Sequence, residues 1–121
     1  MANLGPTGET AALNALLASR FVGLHTSDPG PTGAGEVTGG SYARQSATFT
    51  NTGSNPTVSA NSALIQFPVA TVSWGTITHF ALWSAVSGGS VVAYAPVTTP
   101  KTIDIDDIAR WEIGALQVST D

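Results

Sequence analysis

The residues best suited to chemistry in this chain are His25, Ser27 and Asp28: a base, a hydroxyl and an acid within four positions. Together they invite a nucleophilic-triad reading, but their spacing argues against it. On an extended segment positions 25 and 27 share a face and 28 lies past the turn, whereas a triad needs the base to bridge nucleophile and acid. The chain also has no G-x-S-x-G turn. The same residue types suit a structural task. Asp28 can close an Asx turn onto the backbone that follows, and His25 can fix the adjoining loop by hydrogen bonding. No catalytic residue is expected.

Asp104, Asp106 and Asp107, with Glu112 further on, form the one acidic cluster. A calcium site needs six or more oxygen ligands, and the EF-hand pattern fails where Ile108 follows the aspartates. Carboxylates on a solvated strand edge, where they discourage stray strand pairing, are the simpler reading. Neither metal nor cofactor is expected.

Trp74, Trp83 and Trp111, with Tyr42 and Tyr94, are the residues that could stack on a sugar. Trp83 and Trp111 fall in candidate strands and read as core or subunit-interface anchors. Trp74 precedes Gly75 in a turn, so it is the aromatic expected to be exposed. Arg44 is a lone cation opening a strand, suited to a salt bridge with Glu36 or with an acid of a partner subunit.

The elements that must position these residues are mostly strands. Leu13, Leu16 and Leu17 at i, i+3, i+4, with Ala12 and Ala15, predict one short amphipathic helix over about 8–19, with Thr7 or Thr10 as cap and Glu9 at its positive end. After Arg20 the period becomes two. Strands are expected at Phe21–Thr26, Ala43–Thr50, Ser62–Phe67, Thr76–Trp83, Ser90–Tyr94, Thr102–Asp106, Ile108–Glu112 and Leu116–Thr120. Turn-rich pieces separate them, at Asn51–Pro56, Trp74-Gly75, Ser87–Gly89 and Thr99-Pro100. In Thr76–Trp83 both faces are apolar, which predicts a central strand covered on both sides. Between Pro29 and Ser41 the glycines permit no regular element, and a surface excursion is expected. The fold class is therefore mainly β, an antiparallel β-sandwich or barrel-like domain with one short N-terminal helix. The expected organisation is a single domain over 1–121, with strands from about 21 to 120.

Composition narrows the partners. Leu, Ile, Val and Phe supply 28 of the 121 residues, enough for a modest core whose stability contacts with partners would supplement. Only Arg20, Arg44, Lys101 and Arg110 are basic, against eight carboxylates, so no phosphate-binding patch can form and nucleic acid is not an expected partner. The apolar stretch Ala11–Ala18 is too short to span a bilayer, and neither a signal peptide nor a membrane partner is expected. Cysteine is absent, which removes disulfides and thiolate metal sites. A surface of Ser, Thr, Asn and Gly with so few charges fits burial in an assembly.

One linked arrangement is more specific. A short N-terminal helix leads to a strand ending Leu24-His25-Thr26-Ser27-Asp28-Pro29-Gly30. Then come Thr32-Gly33-Ala34-Gly35-Glu36-Val37 and Gly39-Gly40-Ser41-Tyr42-Ala43-Arg44-Gln45, with Thr78-His79-Phe80-Ala81-Leu82-Trp83 later. Nearly end to end, this resembles a family of small virion proteins of tailed bacteriophages, tail-fibre-like or head-decorating. The resemblance implies a non-enzymatic structural protein on the virion surface, made in the host cytoplasm. Because the compact chain lacks a repetitive shaft, the leading expectation is a capsid decoration protein that stabilises the assembled shell by bridging major capsid proteins. The alternative is a tail-fibre or tail-appendage protein, with host-surface carbohydrate binding as one role. Self-association is expected, with homotrimers suited to local three-fold positions. The segment holding His25, Asp28, Pro29, Gly30, Glu36, Tyr42 and Arg44 is the expected docking or intersubunit loop.

Overall fold

The computed structural model describes residues 6–52 and 58–119. The side chains of Glu9 and Thr10, the turn residues 53–56 and Thr120 lie outside the described part, so the readings placed on them go no further.

The chain is mainly β, with antiparallel sheets and one short helix, as its two-residue periodicity requires. Helix α1 spans Pro6–Leu17. It opens on proline, whose missing N–H costs nothing at a first helical position. It stops because Ser19 takes φ 54, a left-handed conformation that ends an α-helix. Serine pays a steric cost there that glycine avoids. Ser19→Gly should therefore raise stability by about 0.5 kcal/mol net of the flexibility it adds to the unfolded chain. Thermal unfolding measures this, and a net loss would mean that the serine side chain holds the turn.

Contacts divide the chain into two compact units. The first comprises the described parts of Met1–Ser19, Ala47–Ile65 and Trp111–Asp121. Its sheet has the order β3 (Phe49–Thr52), β4 (Val58–Asn61), β9 (Gln117–Ser119), all antiparallel. Helix α1 touches β3, where Asn51 donates a 2.8 Å hydrogen bond to the Asn14 side chain. The unit is organised around buried Asn61. Its amide donates to the carbonyls of Ala63 and Glu112, each at 2.9 Å, and its side-chain oxygen accepts from Leu116 N at 2.9 Å. A buried amide with every group satisfied fixes one arrangement of the strand ends.

The second unit comprises Arg20–Ser46 and Gln66–Arg110. Its sheet has the order β2 (Gln45–Ala47), β1 (Arg20–His25), β6 (Gly75–Trp83), β7 (Val91–Ile103). Strand β6 is interior and its residues 80–83 are buried without a break, the mark of a strand covered on both faces. The β1–β6 register pairs Phe21 with Trp83, Gly23 with Ala81 and His25 with His79, so these six residues share one face. The short strands β5 (Ile65–Gln66) and β8 (Arg110–Trp111) pair with each other.

Three expectations about the strands change. The expected strands Ser90–Tyr94 and Thr102–Asp106 join as one strand, β7, which runs through Pro96 and Pro100 and ends at Ile103, leaving Asp104–Asp106 in a turn. Proline lacks a donor, but β7 is an edge strand, where one row of N–H groups has no ladder to serve. The paired register jumps between Ile77 and His79, which takes up the residues between Pro96 and Lys101. Strand β4 lies where no strand was expected, because Val58–Asn61 is too polar to show a clear alternation. The expected strand Ala43–Thr50 is interrupted at Thr48, giving β2 and β3.

Candidate functional site

The site is built along the side of β1 that faces away from β6, and on one face of that strand. Leu24 sends its carbonyl to Val37 N at 2.9 Å, and its N–H donates to the Tyr42 hydroxyl at 3.0 Å. Thr26 N donates to Gly35 O at 3.0 Å, and His25 and Glu36 form an isolated antiparallel bridge. The segment after β1 therefore folds back along that strand. Its start is a tight turn: the Asp28 carboxylate accepts from Gly30 N at 3.0 Å, the expected Asx turn, and a 3-10 helix η1 follows at Gly30–Thr32. Pro29 and Val37 are buried. The segment does run over the surface as expected, but it carries a 3-10 helix, a bridge to β1 and its own hydrogen bonds where no regular element was expected.

Above the sheet face, Trp83 is the floor of the loop. His25 stacks beside its ring with centroids 6.1 Å apart and planes 11° apart, and the Arg44 guanidinium lies 3.6 Å from its centroid. Gly33 faces the same indole: a Cβ at this position would overlap the ring. Gly23, in β1, leaves the space that Trp83 Nε1 and the Glu36 carboxylate fill.

Arg44 ties the loop down. Its Nε and Nη2 each donate to a different Glu36 oxygen at 2.8 Å, the planar two-point fork that guanidinium and carboxylate geometry favour. Its Nη1 donates to the carbonyls of Ala85 at 3.0 Å and Gly88 at 2.7 Å, reaching the turn after β6. The Tyr42 hydroxyl donates to Glu36 at 2.7 Å. The two charged side chains are only 9% (Arg44) and 19% (Glu36) exposed. Of the two partners expected for Arg44, the structure supplies the intrachain one.

Electrostatics follow from this burial. Desolvation would raise the Glu36 carboxyl, but hydrogen bonds from Arg44 and Tyr42 outweigh it and hold the group below its ordinary value. Burial raises the Tyr42 phenol, and the hydrogen bond to Glu36 adds to the rise. His25 is lowered, chiefly by burial, with Arg44 and His79 acting in the same direction against the Ala34 carbonyl and Glu36. Its Nδ1–H donates to Ala34 O at 2.9 Å, while buried Nε2 has no partner among the described residues. His25 is thus a neutral imidazole that pins the loop.

Acid should release this lock in two windows. Above pH 6.5, the ordinary histidine value, folded and unfolded chains both carry neutral His25 and its contribution is intact. Below 6.5 the unfolded chain takes up a proton that the folded chain resists, so stability falls as pH falls. Glu36 adds a second loss below its ordinary value of 4.5. Melting temperatures from pH 8 down to 4 should show both steps, since this range brackets the two values. His25→Gln should remove the upper step, and an unchanged profile in that variant would refute the assignment.

The structure therefore brings His25, Glu36, Tyr42 and Arg44 together around Trp83, with Asp28, Pro29 and Gly30 shaping the entry to the loop. No triad geometry accompanies them: His25 Nδ1 and the Asp28 carboxylate bond to separate backbone groups. Trp83 is the member that sequence reasoning read as a core or subunit-interface anchor and did not connect with the loop. The signal was its position on a strand facing two glycine-bearing segments.

Trp74 is corrected outright. Expected to be exposed, it is 4% exposed, packed edge-on to Tyr42 at 5.4 Å and to Phe67 at 6.4 Å. The expected turn is absent: Trp74 runs straight into β6 with its N–H on Ile103 O, its ring is packed inward, and Trp74 and Tyr42 form no sugar platform. Tyr94, on edge strand β7, is an aromatic that is exposed. The aspartate cluster forms a turn in which Asp104 N donates to the Asp107 carboxylate at 2.9 Å. Among the described residues no three potential ligands gather into a metal site, and no helix there is long and apolar enough to cross a membrane.

A family model, Podophage GP4 fiber I protein gp80, matches residues 8–119. The chain belongs to this family. The matched span covers parts of both units and includes the locked loop. Comparison with curated proteins gives no match. As a member of a phage fibre family, the protein is a bacteriophage structural protein associated with the virion.

Proposed function

We propose that this protein is a non-enzymatic component of a podophage tail fibre, displayed on the particle surface after synthesis in the host cytoplasm. The observation that carries this reading is the match of residues 8–119 to a fibre family. It supports the tail appendage over the head-surface decoration that a compact chain without a repetitive shaft had suggested. The site is consistent with a structural role: the polar groups of Glu36, Tyr42 and Arg44 are spent on one another.

In this reading the loop serves as a rigid projection. Its interlocked residues, His25, Glu36, Tyr42 and Arg44, set its shape, and exposed Pro31, Thr32 and Thr38 form the rim offered to neighbouring tail proteins or to further copies of the chain. A preformed loop loses little conformational entropy on docking, which favours tight assembly. Gold-labelled antibody against the native protein tests the location by electron microscopy of purified particles. Label at the tail fibres is expected, whereas label spread over the head with bare tails would overturn the proposal in favour of decoration.

A further inference from the structure

Strand β7 leads into a feature on which the end of the loop segment rests, with Ser41 bonded to Thr71 Oγ1 and the Val69 carbonyl and Gly40 close to Val72. Phe67–Trp74 and Ile103–Ala109 run antiparallel: Phe67 N donates to Ala109 O at 2.9 Å, Ala70 N to Asp107 O at 2.9 Å, Asp106 N to Ala70 O at 2.8 Å, and Trp74 N to Ile103 O at 2.8 Å. The inner side of this ladder is core, with Phe67, Ala70, Trp74, Ile103 and Ala109 buried. The outer side is also apolar. Val69 and Val72 on one segment and Ile108 on the other are at least 40% exposed, and Ile105, in the turn closed by Asp107 N on Asp104 O, reaches 60%. A two-stranded ladder with one face already in the core has no folding reason to carry aliphatics outward, and such clusters mark interaction surfaces. Exposed Asp104 and Asp106 border the patch, and the two segments contain no Lys or Arg. Asp106 holds φ 75, where glycine would be relaxed, so the chain keeps a carboxylate at a strained position.

We infer that this patch docks a different protein of the particle, one presenting an apolar socket bordered by Lys or Arg; the inference rests on the fibre reading above. Charge selects this occupant. A two-fold contact with a second copy would set Asp104 and Asp106 against their own counterparts, a like-charge juxtaposition, while a cationic rim would pair with them. Ile105 in the turn is the anchor, and Ile108 widens the contact.

The test uses particles assembled with the full-length protein carrying Ile105→p-benzoylphenylalanine. After irradiation, mass spectrometry of the cross-linked peptides should identify another virion protein at a stretch containing Lys or Arg. Cross-links confined to this chain's own copies would overturn the inference. In a second arm, Ile105→Asp with Ile108→Asp should lower incorporation into particles by roughly tenfold or more, as loss of an interface anchor does. Both sites are exposed, so the melting temperature of the free protein should be unchanged; normal incorporation would count against the patch. Absence of the unaltered protein from particles would sink this inference together with the fibre reading, whereas its presence there with no Ile105 cross-link would sink this inference alone.

Discussion

Arg44→Ala is expected to destabilise the protein by about 3 kcal/mol, because it strips Glu36 of its counter-charge in a place where water reaches the carboxylate only partly. The figure sits at the low end for a broken buried pair because Glu36 remains 19% exposed. Three further losses accompany it: the carbonyls of Ala85 and Gly88 lose their donor, and the face of Trp83 loses its cation. Arg44→Lys should recover less than half of the loss, since one ammonium cannot hold both Glu36 oxygens and reach the Ala85–Gly88 turn. A double-mutant cycle with Glu36→Ala, read by urea unfolding, should give a coupling of about 2 kcal/mol. A loss below about 1 kcal/mol for Arg44→Ala, the range of surface ion pairs, would show that the loop is not held as described.

The second large effect concerns two glycines of the same loop. Gly30 and Gly33 both have positive φ, 55 and 78, but only Gly33 faces the Trp83 indole; nothing lies within 4 Å of a Cβ built at Gly30. Gly30→Ala should therefore cost about 1 kcal/mol, the backbone penalty alone. Gly33→Ala adds the displacement of a packed indole and should cost about 3 kcal/mol in total. Because the two substitutions are chemically identical and three residues apart, their difference isolates the packing of the loop on Trp83. Equal losses would remove that packing from the account.

Both experiments bear on what the segment from Leu24 to Gln45 is for. Its residue types suggested a catalytic group or an adaptable docking loop, and its geometry shows a self-contained lock. The aromatic ring, the ion pair and the glycines each have their partner inside the chain. What the particle meets is the loop's rim and, in the inference drawn from the outer ladder, the aliphatic patch around Ile105.

Local chemistry was legible in the sequence wherever the cause of a structure lies within a few residues. The two-residue alternation of Thr76–Trp83 announced a strand covered on both sides, the leucine spacing announced the helix, Asp28 before Pro29-Gly30 announced an Asx turn, and Glu36 was a nameable partner for Arg44. Each depends on propensity, periodicity or short-range hydrogen bonding. The tertiary structure alone decided where Trp74 points, because a residue before a glycine is exposed or buried according to what packs over it, here Tyr42 and Phe67. It alone made one strand of Val91–Ile103, since prolines are tolerated only once the strand is known to lie at an edge. It also turned a glycine-rich stretch into a packed loop, because glycine at 33 reads as flexibility until the indole of Trp83, fifty positions away, is seen to need the space. The sequence by itself determined the helix, most of the strands and the family pattern; contacts between residues far apart in the chain decided how the strands join and which of its suggestive side chains would be buried, paired or left to meet another protein.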